Sequence, residues 1–411
     1  MDSTISLLNV QAIRAQFPVL HQDVNGKPLV YFDNAATSQT PNIVIKALSD
    51  YYTQDNANIH RGIHTLAERA TTAYEETRTA AQTFISAREK EEIIFTKGTT
   101  EGINLIAQSY GRKFLKEGDE IIISEMEHHS NIVPWQILCQ QTGAKLKVVP
   151  ITDEGEIIIE EYQDLLSDRT KIVSIVYISN SLGTINPVKE MGQMAHDVGA
   201  IMVVDGAQAA PHGNIDVKDL NCDFLAMSAH KMYGPTGVGL LYGKRSLLEK
   251  MDPYQSGGEM INEVSFSGTT YNDIPYKFEA GTPNIADVIA LKKAIEFMQD
   301  VGISNLQAYE NELLNYGTVQ LNQLDGFIPV GVAKKKASVI SFNIDGVHPF
   351  DIGMWLDAKG IAVRTGHHCT QPLMDRFRIE GTVRASFAVY NTIEEIDALK
   401  TGLEEIIKKF R

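Results

Sequence analysis

Cysteine is scarce in this sequence, and long apolar runs are absent from it. The 411 residues include three cysteines, Cys139, Cys222 and Cys369, and no Cys-x-x-Cys pair. Such an odd, sparse set excludes a disulfide framework and favours a reducing compartment. No stretch approaches the ~18 apolar residues of a membrane-spanning helix, and the N-terminus lacks the apolar core of a signal peptide. We therefore expect a cytoplasmic protein that does not enter a membrane.

Positive charge is also in short supply. The chain has 37 lysines and arginines against 52 aspartates and glutamates, which gives a formal net charge of −15. Phosphate contacts need clustered basic residues, so nucleic-acid binding is excluded as the main function. The triplet Lys334-Lys335-Lys336 fits a solvated loop better than a binding patch.

Apolar runs between residues 90 and 245 alternate with helical stretches. Near-continuous runs rich in β-branched residues are typical of strands that are buried on both faces of a parallel sheet. We therefore expect a large α/β domain over residues 26–290, with a mainly parallel sheet flanked by helices. The runs lie at Glu92–Thr96, Glu120–Ser124, Lys145–Ile151, Ile172–Ile178, Ile201–Asp205, Phe224–Ser228 and Val238–Tyr242.

The remaining chain predicts a second, smaller α+β domain. It contains an apolar run at Ser338–Ile344 that predicts a strand, and the capping-box residues Thr392 and Glu395 predict a final helix. We expect residues 1–25 and 291–411 to form this domain.

An aspartate ends one of the predicted strands, and a lysine follows another. Lys231 lies just past Ser228, where an α/β sheet usually binds its ligand, and a lysine sheltered from water can form a Schiff base. Asp205 ends a buried strand and needs a cationic partner, which a protonated pyridine nitrogen would supply. A surface lysine and a helix N-cap aspartate are the alternatives, but the two residues together favour a pyridoxal cofactor.

Three other segments carry candidate binding groups. Thr99 and Thr100 follow a strand and open a helix, which suits a phosphate or a simple helix cap. His128 could stack on a ring and move protons, or lie in a polar loop. Arg384 could bind a substrate carboxylate, or form a surface ion pair.

Cys369 differs from the other two cysteines in its surroundings. It follows Arg364, His367 and His368 in a polar, glycine-containing segment, and a positively charged setting favours the thiolate. Zinc binding by the two histidines and the cysteine is the alternative. Cys139 and Cys222 lie in apolar contexts that indicate structural roles.

Taken together, these segments resemble the cysteine desulfurases of the class V aminotransferase family, and most closely their SufS-type, or group II, branch. The resemblance covers nearly the whole chain and implies the type I fold of transferases that use pyridoxal 5′-phosphate (PLP). The residue after Cys369 is Thr370, where alanine is common in the family. The matching motifs are Tyr31-Phe-Asp-Asn-Ala-Ala, His60-Arg-Gly-Ile-His64, Gly98-Thr-Thr-Glu-Gly, Met126-Glu-His-His, Asp205-Gly-Ala-Gln, His230-Lys231, Gly281-Thr-Pro-Asn284 and Arg364-Thr-Gly-His-His-Cys369.

The resemblance also implies a role for each matching residue. Lys231 would carry the cofactor and move the Cα proton, and His128 would stack on the ring. Asp205 would pair with the pyridine nitrogen, and Gln208 with the ring hydroxyl. The phosphate would lie against Thr99, Thr100, Ser228 and His230, with Thr282 reaching it from the neighbouring subunit of a homodimer; the substrate carboxylate would lie against Asn180 and Arg384, and its sulfur near Arg364, His60 and His367.

The implied reaction converts L-cysteine to L-alanine and leaves a persulfide on Cys369. A SufE-like or SufU-like acceptor would then take the sulfur for iron–sulfur cluster assembly, and selenocysteine would be a further substrate. Two other possibilities stay open at this point: an aminotransferase or kynureninase-like lyase, which needs no nucleophilic cysteine, and a non-catalytic scaffold. No metal site is expected.

Overall fold

The computed structural model describes residues 8–410, so the first seven residues of the expected small domain, and residue 411, lie outside the described residues. Its helices are α1 Val10–Arg14, α2 Asn42–Asp50, α3 Thr65–Phe84, α4 Thr99–Leu105, α5 Arg112–Phe114, α6 Val133–Thr142, α7 Ile159–Leu165, α8 Val188–Asp197, α9 Ala209–His212, α10 Val217–Leu220, α11 Arg245–Leu248, α12 Ile285–Val301, α13 Ile303–Leu321, α14 Pro349–Asp357, α15 Gln371–Phe377 and α16 Ile393–Phe410. Its strands are β1 Asp23–Val24, β2 Lys27–Pro28, β3 Val30–Tyr31, β4 Ile93–Thr96, β5 Glu120–Ser124, β6 Lys145–Val149, β7 Thr170–Val176, β8 Ile201–Asp205, β9 Phe224–Ser228, β10 Gly239–Gly243, β11 Ile261–Ser265, β12 Gly268–Tyr271, β13 Phe327–Val330, β14 Val339–Ile344, β15 Ile361–Ala362, β16 Arg364–Gly366 and β17 Thr382–Ser386.

The central sheet has the strand order β4-β10-β9-β8-β7-β5-β6. Strand β10 runs antiparallel to both of its neighbours, whereas the other pairs in the sheet are parallel. Every residue of β5, β8 and β9 is buried, because helices cover both faces of the sheet. The predicted α/β architecture is confirmed, and β4 to β10 overlap the predicted apolar runs.

A smaller antiparallel sheet has the order β13-β14-β17-β16. Phe342 and Phe387 lie in its core together with Leu403 of α16. The predicted capping box is present, because Thr392 N donates to Glu395 and Glu395 N donates to Thr392 Oγ1. The expected domain boundary near residue 290 falls inside α12, which packs on α2 and α3. The boundary stays a prediction.

The segment after β3 links the two sheets. Strand β3 pairs in parallel with β15, and Ser386 N donates to the Phe32 carbonyl at 2.7 Å. These contacts bring Asp33 beside the small sheet. In the range from residue 8 to residue 410, no helix has both the length and the apolar character needed to cross a membrane.

Candidate active site

A cavity of about 240 Å³ lies where the carboxyl ends of β7, β8 and β9 face the small sheet. Carboxyl ends of parallel strands are the usual ligand-binding edge of an α/β sheet. Of the predicted site residues, all except His60, Thr282 and the sulfur-side His367 line this cavity. The predicted residues that line the cavity are Thr99, Thr100, His128, Asn180, Asp205, Gln208, Ser228, His230, Lys231, Arg364, Cys369 and Arg384.

Lys231 and Asp205 both line the cavity. Lys231 lies in a short turn after β9, and burial lowers the pKa of its amine to about 8, although Asp205 opposes the shift. Asp205 is 2% exposed, and burial raises the pKa of its carboxyl group. Its Oδ1 accepts a 3.0 Å hydrogen bond from Ala207 N. A buried carboxylate of this kind is stabilised by a cationic ligand group.

Hydroxyl groups form one end of the cavity. The backbone N and Oγ1 of Thr99 each lie 2.9 Å from Ser228 Oγ, and Thr100 Oγ1 lies 2.6 Å from Ser130 Oγ. Gly98 has φ 145°, and a Cβ atom there would meet Ser228 Oγ at 3.1 Å. The glycine therefore keeps space open beside a donor set that suits a phosphate.

His128 lines the cavity as a neutral imidazole. Burial lowers its pKa to about 3, and the neighbouring Lys231 charge adds to the effect. Its Nδ1 accepts a 3.1 Å hydrogen bond from Ser130 N. A neutral ring can lie against a flat aromatic ligand without adding a second positive charge beside Lys231.

Buried polar atoms without protein partners point to a polar ligand. Among residues 8–410, Gln208 Oε1, Asn180 Oδ1 and Arg384 Nε are buried and make no hydrogen bond. Such atoms are costly to bury, so each one needs an explanation. All three residues line the same cavity. A ligand hydroxyl could donate to an amide oxygen such as Gln208 Oε1, and a ligand carboxylate could accept from Arg384 Nε.

Arg384 on β17 is held in place from two directions. The residue is 1% exposed, and its side chain donates to the Asn180 carbonyl and to Asp33 Oδ1, each at 2.9 Å. Cys369 also lines the cavity, is half-buried and stands between β16 and α15. The cavity thus has a hydroxyl-rich end, a lysine, a guanidinium group and a thiol.

Three of the predicted site residues, Thr282, His60 and His367, do not line this cavity. Thr282 lines a separate pocket with Tyr74 and Phe95. His60 lines another pocket and lies 3.0 Å from Glu75. Within one copy of the chain, neither side chain meets Lys231. His367, also expected near the sulfur, is exposed. In the described part of the chain no cluster of histidine, cysteine and acidic side chains is suited to hold a metal ion.

Three further residues belong to the site. The sequence indicated no role for Asp33 or Ser130, and for His368 only a place in the polar segment beside Cys369 and an alternative role as a zinc ligand. Asp33 binds Arg384, and Ser130 and His368 line the cavity. His368 is 3% exposed, and its Nε2 lies 2.8 Å from Thr382 Oγ1. All three lie in or beside the sequence motifs given above, and this adjacency is the signal that could have found them.

Comparison with known proteins agrees with this geometry. Residues 30–399 match the Aminotransferase class-V family. A probable cysteine desulfurase of Halalkalibacterium halodurans is 54% identical over 98% of this chain and 99% of the relative. A cysteine desulfurase of Synechococcus elongatus is 52% identical over 97% of this chain, which spans 64% of that relative.

The fold is also similar to that of a solved cysteine desulfurase. The crystal structure of the cysteine desulfurase CsdA from Escherichia coli matches with a TM-score of 0.92 and 38% identity, over 99% of this chain and all of that one. The predicted type I fold of PLP-dependent transferases is thereby confirmed. The chain belongs to the class-V aminotransferase family, and cysteine desulfurases are its relatives there.

Proposed function

We propose that this protein is a PLP-dependent cysteine desulfurase, which converts L-cysteine to L-alanine and takes the sulfur on Cys369. One observation carries the proposal: Lys231, Asp205, Arg384 and Cys369 line a single cavity. The lysine and the aspartate suit the cofactor, the arginine suits an amino-acid carboxylate, and the thiol suits the sulfur. An aminotransferase would use the first three residues but has no need of the fourth.

The residues of the cavity fit PLP. Lys231 would bind its aldehyde carbon, Asp205 its ring nitrogen, His128 a ring face and Gln208 the ring hydroxyl. When bound, PLP withdraws electrons from the α-carbon of an attached amino acid. The phosphate would lie against the hydroxyl-rich end formed by Thr99, Thr100, Ser228 and His230.

The side chains of the protein divide the remaining work. Arg384 and a second N–H of Asn180 would bind the substrate carboxylate and orient the molecule. The Lys231 amine, whose pKa of about 8 leaves a neutral fraction near neutral pH, would take the Cα proton and later return a proton to the product.

Cys369 would carry out the sulfur transfer. Its thiolate attacks the substrate sulfur, so that a sulfur–sulfur bond forms while the carbon–sulfur bond breaks. The electron pair of the broken bond stays with the substrate carbon, which takes up a proton and leaves as part of alanine. A persulfide then remains on Cys369 for transfer to another thiol.

A cysteine variant tests the proposal directly. In Cys369→Ser we expect alanine formation from L-cysteine to stop, while the visible absorption of lysine-bound PLP is kept. Cys139→Ser is the matched control and should retain activity, because Cys139 lies outside the cavity. Unchanged turnover in Cys369→Ser would contradict the proposal and favour an aminotransferase or a kynureninase-like lyase.

The proposal includes a homodimer. Ile63, Val264 and Phe266 are strongly exposed, and the last two belong to the hairpin formed by β11 and β12. Exposed apolar side chains of this size are typical of interaction surfaces. We expect Phe266→Glu to shift the protein toward monomers in analytical ultracentrifugation, and Thr282→Ala to weaken cofactor retention in the dimer. A dimer unaffected by Phe266→Glu would place the interface elsewhere.

The group II assignment and the acceptor are further parts of the proposal. The position of Cys369 directly between β16 and α15, without a long loop, supports a SufS-type enzyme. The three cysteines are free, which supports a reducing compartment such as the cytoplasm.

Alanine formation, measured with and without a SufE-like or a SufU-like protein, would identify the acceptor. The same assay with selenocysteine in place of cysteine tests the second substrate.

A further inference from the structure

The loop that carries Cys369 has an unfavourable backbone conformation. His368 and Cys369 both have left-handed φ angles, 53° and 59°. Residues other than glycine adopt this region rarely, because Cβ crowds the carbonyl oxygen. Two in succession persist only when the surrounding structure holds them. The contacts of this loop therefore decide where the Cys369 thiol lies.

Hydrogen bonds from outside the loop hold the carbonyl groups of both strained residues. Asn180 Nδ2 donates to the His368 carbonyl at 2.7 Å, and the backbone N of His129 donates to the Cys369 carbonyl at 2.8 Å. His129 follows the end of β5, and Asn180 follows the end of β7. The central sheet thus sets the path of the loop.

Thr370 provides a further tie through its hydroxyl group. Its Oγ1 donates to the His367 carbonyl at 2.8 Å and lies 2.6 Å from Ser181 Oγ. Because a hydroxyl carries one proton, Ser181 is the donor in the second bond. The Ser181 carbonyl in turn accepts a hydrogen bond from Ser341 Oγ on β14. Thr370 and Ser181 are both fully buried.

The helix that follows does not account for this hydroxyl. Thr370 stands at the N-cap of α15, where a threonine oxygen ordinarily accepts a hydrogen bond from a backbone N–H of the first helical turn. Here the side chain makes no such bond. Its hydroxyl group instead bonds to the His367 carbonyl and to Ser181. His367 precedes the strained pair and Thr370 follows it, so the first of these bonds spans the pair. Thr370 does not line the cavity.

We propose that Thr370 is a positioning residue for Cys369. With Ser181 it forms a hydroxyl clamp, defined as the pair Thr370 Oγ1 and Ser181 Oγ, that keeps the thiolate in place for attack on the substrate sulfur. The inference rests on the proposed function, because it requires that Cys369 accepts the sulfur. In this inference the Thr370 hydroxyl acts through the loop that carries Cys369 and does not touch substrate or cofactor.

The variant Thr370→Val tests the clamp, because it removes the hydroxyl and keeps the size of the side chain. We expect kcat for alanine formation to fall about tenfold, with KM for L-cysteine changed by less than about twofold, since a small misplacement of a reacting group slows chemistry more than binding. Iodoacetamide should alkylate Cys369 faster than in the wild type. Thr370→Ser restores the hydroxyl and should recover kcat, whereas Thr401→Val, in which an exposed hydroxyl on α16 is lost, is the matched control.

The outcomes separate this inference from the proposed function. If Cys369→Ser stops turnover but Thr370→Val keeps kcat and the alkylation rate of the wild type, the clamp is overturned alone. If Cys369→Ser keeps turnover, both fall. Should Thr370→Val fail to fold, Ser181→Ala removes the donor from the other side, and wild-type kcat in that variant overturns the clamp equally.

Discussion

The guanidinium group of Arg384 donates a 2.9 Å hydrogen bond to Oδ1 of Asp33 and so joins the small sheet to the segment after β3. Burial lowers the pKa of Arg384, and the Asp33 carboxylate opposes that shift. A buried cation with one carboxylate partner is held in a fixed orientation before any substrate arrives. A substrate carboxylate in the cavity would meet a preset donor, because Arg384 Nε is without a protein partner among the described residues.

Replacement of this arginine should therefore impair substrate binding. In Arg384→Lys the planar fork is lost, and we expect KM for L-cysteine to rise about tenfold or more. The absorption of lysine-bound PLP should be unchanged. Arg376→Lys is the control, since Arg376 pairs with the exposed Asp153 away from the cavity. An unchanged KM in Arg384→Lys would contradict the carboxylate assignment.

Two lysines have lowered pKa values, and the structure separates their roles. Burial lowers the pKa to about 8 for both Lys231 and Lys336. Lys336 lines a different groove and donates to the Gly331 carbonyl. After borohydride reduction of the PLP-loaded protein, mass spectrometry should find the cofactor on Lys231. Lys231→Ala should abolish the label, whereas Lys336→Ala should retain it. A label on Lys336 would show that a lowered pKa, and not the cavity, selects the lysine.

The cofactor-free protein should lose stability in mild acid. Burial, with a contribution from Arg384, lowers the pKa of His368 from 6.5 to about 2. Between these values the unfolded chain binds a proton that the folded chain does not, so the free energy of unfolding falls as the pH decreases. His368→Gln should reduce this slope by about 1.4 kcal/mol per pH unit, measured by urea unfolding between about pH 5 and 6. His21→Gln, at an exposed position, is the control, and equal slopes in all three proteins would refute the prediction.

A buried ion pair holds the segment that leads to Thr282. Arg78 donates to both carboxylate oxygens of Glu279, at 2.8 and 2.9 Å, and the two side chains are 1% and 6% exposed. Arg78→Met leaves an unpaired buried carboxylate and should lower the free energy of unfolding by about 3–5 kcal/mol. The double variant Arg78→Met/Glu279→Gln removes the charge, keeps an acceptor for the Phe95 backbone N–H and should recover most of that loss. If the double variant is as unstable as the single one, packing and not charge explains the effect.

Much of the fold could be predicted from the sequence because its signals are local. Strands β5, β8 and β9 are continuous apolar runs, and full burial in a parallel sheet demands that pattern. The capping box of Thr392 and Glu395 is equally local, since its two residues lie within one helical turn. Asp205 and Lys231 could be named as candidates because the first ends such a strand and the second follows one.

Tertiary structure alone decided which of these groups meet. Cys369 and Arg384 reach Lys231 only because the small sheet packs against the carboxyl ends of the central strands, and no periodicity along the chain encodes that contact. The same packing leaves His60 and Thr282 at other pockets. The sequence by itself thus determined the elements and the reactive groups, because hydrophobic pattern and side-chain chemistry are properties of short segments. The assembly of the site, with Asp33 on Arg384 and Ser181 on Thr370, depends on contacts between distant segments, which exist only in the packed structure.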